Sequence, residues 1–329
     1  MHQEAFVERH QPLWDELEAI LDSLERSPFR RTNRHEAAAQ LPHLYRQICN
    51  HYALAQGRRY SPTLVEQLHR LVLRGHQQLY IRRGAWLWRL LMFITTEFPR
   101  TLRDNLRYFL VALSLFLLPA VIVGGTCMVD EYFVYSVMDN AQVADIEEMY
   151  DPGNKHIGRE KGRDAESDFM MFGFYISNNI GIGFRTFALG ILAGIGTVFT
   201  LLYNGIFLGA VAGHLTRIGD IETFWPFVSG HSALELTAII ISGAAGLIIG
   251  HALLAPGQQP RLVALKQRGR IALTLVMGAA LMLLGAAFIE AFWSSSGMPN
   301  SVKYAVAALL WCLVAAYFSL AGRSRHGPG

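Results

Sequence analysis

Along the N-terminal part of the chain, apolar side chains return every three or four positions with charged groups between them, the spacing of amphipathic helices. One run covers residues 12–25 through Leu13, Trp14, Leu17, Ile20, Leu21 and Leu24, and Pro28 stands where it would close. A second covers residues 36–55 through Leu41, Leu44, Tyr45, Ile48 and Tyr52, with Gly57 as a stop signal. Ser61-Pro62 reads as an N-cap followed by proline at the first helical position, leading into Leu64, Leu68, Leu71, Val72 and Leu79. Three helices of this kind predict a small cytoplasmic bundle over residues 1–84. From Trp86 to Phe98 the pattern turns aromatic and apolar, and Glu97, Pro99 and Arg100 stand at its end. This predicts a helix lying in a membrane interface, with an elbow, over residues 85–107.

Beyond Arg100, Arg103 and Arg107 the polar positions vanish for long stretches. Uncharged runs of this length match the ~20 residues an α-helix needs to cross ~30 Å of hydrocarbon. Spans are expected at about 108–125, 182–202, 205–218, 233–254, 271–292 and 304–321. The third is short and glycine-rich, and the reading places a turn before it at Asn204-Gly205. The expected fold is therefore all-α: a polytopic membrane domain over 108–325 with about six spans, an interfacial helix and an N-terminal bundle.

Charge sets the orientation. Short loops rich in Lys and Arg stay on the cytoplasmic side. Arginines precede the first span, Arg261, Lys266, Arg268 and Arg270 separate the fourth from the fifth, and Arg323 and Arg325 close the chain. An even number of crossings puts all three basic segments on one side, with both termini cytoplasmic. The polar insert 126–169 falls opposite and carries eleven acids against Lys155, Arg159, Lys161 and Arg163, a net charge of −7. The hydrophobic share of 52% is thus concentrated after residue 107. Acids at Glu4, Glu8, Asp15, Glu16 and Glu18 leave no place for a cleavable signal peptide. Cys49, Cys127 and Cys312 are singletons without disulfide or zinc spacing. The N-terminal arginines lie among acids and form no nucleic-acid groove, although Arg82, Arg83, Arg89 and Arg100 are placed to meet anionic headgroups.

Candidate chemistry sits where polar groups fall at membrane depth, because they are costly there. His231 and Glu235 lie four apart on one helix face, Asn178, Asn179 and Arg185 cluster near the second span, and Asn204 precedes the third. The plain account is that His231 and Glu235 bond each other, Arg185 or backbone and fix packing; a proton or solute pathway is the functional account. One His and one Glu make at most half of a metal site, and no HExxH motif completes it, so neither metal nor cofactor is expected. Glu290 and Arg185, near span ends, read as snorkelling side chains. Gly190 and Gly194, then Gly205, Gly209 and Gly213, then Ser242, Gly246 and Gly250 recur four apart, the spacing that lets helix backbones approach closely. No GxxxxGK[ST] loop, GxSxG turn or strand-borne GxGxxG is present, so no enzyme class is indicated.

Two separated stretches resemble the stage II sporulation protein M family. The first is Asn178-Asn179, Phe187 to Gly194, Tyr203-Asn204-Gly205 and Gly209. The second is His231 to Ile239 with Ala244-Ala245-Gly246-Leu247 and Pro256-Gly257 behind it. The family usually shows Pro-His-Gly where this chain has Gly230-His231-Ser232. The resemblance covers roughly 100–325; the first hundred residues look like the extended form of bacteria that do not sporulate. It implies a multi-pass bacterial inner-membrane protein without catalytic activity. In spore formers it implies a role in anchoring peptidoglycan-degrading partners. The longer members are similar to proteins encoded beside MoxR-type AAA ATPases.

The expectation is therefore a noncatalytic membrane scaffold that self-associates and docks other membrane or envelope proteins from two polar regions. The alternative is a transporter or channel with a polar site at Asn179, Arg185, Asn204, His231 and Glu235.

Overall fold

The computed structural model describes residues 2–26, 34–80, 85–153 and 165–323, which are helical and contain no strand. The chain divides into two compact units, Met1–Leu91 and Met92–Gly329. Pro28, Arg82, Arg83, Arg325 and the four bases of the insert lie outside the described residues.

The first unit is built from α1 (Gln3–Arg26), α2 (Arg34–Gly57) and α3 (Pro62–Tyr80). Its core holds Trp14, Leu17, Leu21, Leu44, Ile48 and Leu68 from the expected stripes, together with Phe6. Phe6 lies on α1 well before residue 12, because Pro12 is accommodated inside the helix and does not begin it. Ser61 caps α3 as expected, its Oγ accepting from the Leu64 N–H at 3.4 Å. Gln3 ties α1 to that cap by donating to Ser61 Oγ and accepting from the Ser61 N–H. Arg74 on α3 reaches Asp22 at 2.6 Å and Glu18 at 3.4 Å on α1.

His51 accepts from the indole N–H of Trp14 at 3.1 Å, and its ring lies 4.1 Å from that of His10. Burial first, and the neighbouring His10 second, hold His51 below its ordinary 6.5; burial and then Arg9 do the same for His10. A folded-state value below the unfolded one means that the unfolded chain takes up protons first. Stability is therefore complete above pH 6.5 and declines as pH falls through that value. Thermal melts of residues 1–80 followed by circular dichroism are expected to drop from about pH 7.5 to about pH 5.5. His10→Gln should shrink the drop; equal melting at both values contradicts the pairing.

In the second unit, the end of α4 (Ala85–Met92) is followed by a π-turn, Phe93–Glu97, and by α5 (Phe98–Asp104). The expected stop at Pro99 does not occur. Proline in a first helical turn needs no N–H donor, and Pro99 sits there, buried. Of the large apolar residues from Trp86 to Phe98, Trp86, Leu87, Trp88, Leu91 and Met92 are exposed as an interfacial helix requires. Phe93, Phe98 and Leu102 instead join the membrane core, with Phe98 against Gly278 and Phe318.

Among the described residues, five helices are long and apolar enough to cross a membrane: α6 (Leu106–Val129), α9 (Ile195–Ile218), α10 (Ile221–Leu254), the run Arg261–Ser294 that begins with α11 (Arg261–Ile289), and α12 (Asn300–Leu320). A further helix, α8 (Ala165–Ala188), has the length but carries Asn178, Asn179 and Arg185. The second and third expected spans are redrawn. Residues 182–202 are not one helix, because the chain reverses at 189–194 through Ala193 (φ 52°) and Gly194 (φ 82°). No turn exists at Asn204-Gly205, which lies in the middle of α9. The glycine spacing suggested a break, whereas lateral packing uses it.

Contacts give the direction of each helix. Gly205 faces the carbonyl of Phe116, Gly209 that of Ala120 and Gly213 that of Gly124, so α9 runs parallel to α6 with a fixed offset. Leu201 against Gly243 and Thr197 against Gly246 make α9 antiparallel to α10. Asn179 with Glu290, and Gly183 with Leu283, make α8 antiparallel to α11. The path therefore passes six times between the ends of the bundle, and α9 travels the full way. One end gathers α5, the α10–α11 loop and the tail, where Arg103 donates to the Phe318 carbonyl at 2.8 Å. The other gathers the insert, Asp220 and the α11–α12 loop, where Asn300 donates to the Glu222 carbonyl at 3.0 Å.

The described part of the insert is folded. Asp139 and Gln142 form a reciprocal capping box at the start of α7 (Asn140–Tyr150). Val134, Met138 and Val143 pack on Cys127 and Ala210 at the ends of α6 and α9. Glu147 meets His214 at 2.6 Å, and Glu131 meets Arg217 at 3.3 Å.

Candidate functional site

The centre of the bundle is α10, buried along most of its length, whose small residues let α6, α8, α9, α11 and α12 approach. His231 and Glu235 project from one face of it, Nε2 to Oε2 3.6 Å apart. Glu290 faces them from α11, where the helix widens into a π-turn over Glu290–Ser294. Single π-turns inside α-helices are frequent at functional sites. With more residues per turn than an α-helix, this one turns Glu290 and Ser294 toward α10 together. Ser294 Oγ lies 3.0 Å from His231 Nδ1. Asn179, from α8, donates to Glu290 Oε2 at 3.2 Å, and its own carbonyl accepts from Asn178 at 3.0 Å. Lys303, at the start of α12 and buried, donates to the Ser294 carbonyl at 2.8 Å.

The outer wall comes from the insert. Tyr150 packs edge-on to Phe224 and Phe227, and Phe227 packs edge-on to His231. The hydroxyl of Thr223 fixes the Tyr150 carbonyl at 2.6 Å. Burial, then the carboxylates of Glu290 and Glu235 with the Tyr175 phenol between them in order of effect, pushes the Tyr150 phenol above its ordinary acidity range.

The polar residues singled out from sequence thus divide. Asn179, His231, Glu235 and Glu290 meet, with Asn178 behind them at an exposed position. Glu290 does not snorkel; it is 9% exposed and turned inward, since the π-turn rotates it off the lipid face. Arg185 is exposed and donates to the Gly181 carbonyl of its own helix, and Asn204 donates to the Thr200 carbonyl. Neither reaches the cluster, so the five-residue polar site expected from sequence does not assemble. Sequence reasoning passed over Ser294, Lys303 and Tyr150. Lys303 and Ser294 were visible as polar residues beside apolar spans, but nothing in their spacing paired them with His231.

The glycines are placed as backbone contacts within one chain. Gly190 packs on Gly246 and Gly250 on Gly194, each too close to leave room for a Cβ, closing the 189–194 reversal onto α10. Thr197 reinforces it by donating to the Thr186 carbonyl at 2.8 Å. A cleft of about 550 Å³ between α6, α9 and α10 is lined mainly by apolar groups, including Val121, Met128, Leu208 and Trp311.

The profile of the family Stage II sporulation protein M matches residues 108–295, the bundle from α6 through the π-turn that carries Glu290. The chain belongs to the stage II sporulation protein M family. Residues 4–81, the N-terminal bundle, match a Domain of unknown function (DUF8413). No curated protein and no solved structure matches the chain. In this stage II sporulation protein M family member, then, the family region ends one residue past Ser294, and every cluster residue except Lys303 falls inside it.

Proposed function

We propose that this protein is a noncatalytic scaffold of the bacterial inner membrane, holding partner proteins of the cell envelope at two folded polar parts. The observation that carries this reading is the segregation of folded, oppositely charged surfaces at the two ends of the bundle. Arg100, Arg103, Arg107, Arg261, Lys266, Arg268 and Arg270 gather at one end, while Asp130, Glu131, Asp139, Asp145, Glu147, Glu148 and Asp151 lie at the other. The positive-inside bias makes the basic end cytoplasmic, together with both termini. Glycines spaced for helix association are used within the chain, so self-association falls to the lipid-facing apolar groups and the polar ends. The compact N-terminal unit and the α7 cap offer exposed apolar side chains for docking, among them Leu54 and Leu73 in the first and Tyr135 and Met149 in the second.

Photocrosslinking in cells from Leu73 and Met149 should give discrete protein adducts, with Leu118 as a lipid-facing control. Adducts no different from the control contradict the scaffold. A transport role has one observation in its favour, the buried pair Asn179 and His231 with the half-buried Glu235 beside them. Proteoliposome flux that falls in Glu235→Gln would favour it over the scaffold.

A further inference from the structure

The polar cluster contains a donor set that no function above uses. One ring nitrogen of His231 and one carboxylate oxygen each from Glu235 and Glu290 all lie within 4.8 Å of one another. We propose that His231, Glu235 and Glu290 bind a divalent transition-metal ion of the zinc class inside the bundle, joining α10 to α11.

Two features of the geometry carry this. First, the His231–Glu235 separation of 3.6 Å is long for a hydrogen bond. It is close to the ~3.4 Å expected between two donors that share a tetrahedral zinc at ~2.0–2.1 Å. The third donor comes from a different helix, so the three do not line up along one face. Second, each donor except Glu235 is held from behind. A histidine ligand normally gives its other ring N–H to a fixed acceptor, which selects the tautomer and aims the free nitrogen at the metal. Ser294 Oγ, 3.0 Å from Nδ1, serves as that acceptor and leaves Nε2 facing the carboxylates. Asn179 holds the Glu290 carboxylate in the same way from α8.

The donor chemistry selects the ion. One imidazole with two carboxylates suits zinc and its neighbours, whereas magnesium and calcium favour all-oxygen shells. Three protein ligands would leave a fourth position for water. Sequence alone pairs only His231 with Glu235 and reads Glu290 as a snorkelling side chain, because Glu290 lies far from His231 along the chain and near a span end.

The test uses the full chain with a tag lacking histidines, purified in mild detergent, washed with chelator and dialysed against zinc. Elemental analysis should find about one zinc per chain. Cobalt put in its place should give the visible absorption of a tetrahedral site. Glu290→Gln and His231→Gln should lose both signals, and Asn179→Ala should weaken zinc binding ~10–100-fold while keeping the site. Wild-type protein that elutes as a folded species yet takes up no stoichiometric zinc, cobalt, manganese or iron overturns the proposal, whatever the variants do. So does zinc retained equally by wild type and a folded Glu290→Gln. Because the readout is metal content, it is independent of whether partners are captured at either end.

Discussion

Gly209→Val is expected to remove most of the folded membrane unit. A side chain at this position would be driven into the carbonyl of Ala120, and the neighbouring contacts Gly205 with Phe116 and Gly213 with Gly124 repeat the same close approach one turn away on either side. Relief requires α6 and α9 to separate along their whole shared length. The cost is about 3 kcal/mol or more, at the upper end for overpacked cores, because the obstacle is backbone and has no rotamer to escape into. Gly125→Val supplies the contrast, since nothing stands within 4 Å of its position. Size-exclusion profiles and melting in detergent measure both. A Gly209→Val protein that elutes and melts like wild type would show that the α6–α9 contact is not made as described.

Trp14→Ala is expected to unfold the N-terminal unit and leave the membrane unit standing. Trp14 is 1% exposed, at the centre of the small core formed by α1, α2 and α3. Truncating a buried Trp costs about 3–5 kcal/mol, comparable to the whole stability of a small domain, about 5–15 kcal/mol. The indole N–H also fixes His51, which loses its donor in the variant. Urea unfolding of residues 1–80 should shift to a much lower midpoint or show no transition, while the full-length chain still elutes as a folded membrane protein. A midpoint unchanged from wild type would contradict the packing.

Much of this architecture was legible because its causes are local. Trp14, Leu17, Leu21, Leu44, Ile48 and Leu68 repeat on helical faces, and Ser61-Pro62 announces its helix by capping chemistry. Long uncharged runs identify lipid-facing helices by composition alone. The misreadings came where tertiary contact overrules local signal. Gly190 and Gly194 were taken for mid-helix packing residues, yet a left-handed Ala193-Gly194 pair turns the chain there. Asn204-Gly205 looked like a turn, yet Asn204 satisfies its amide on Thr200 and Gly205 is small because Phe116 leaves no room. Pro99 looked like a terminator but occupies a first turn. Of the site, the i,i+4 pair His231 and Glu235 was readable from spacing. Glu290 was not, because only the π-turn decides whether it faces lipid or the bundle.

The parallel course of α6 and α9 constrains how the protein is made. Neighbours that run the same way cannot close as a hairpin, so the chain must go back through α8 before α9 can arrive beside α6. During synthesis, the grooved surface from Phe116 to Gly124 therefore sits in bare lipid, with its eventual lodger still inside the ribosome. The earliest segment to be inserted completes its packing late, and any chaperone or insertase that shields it must bind a surface the mature protein no longer displays.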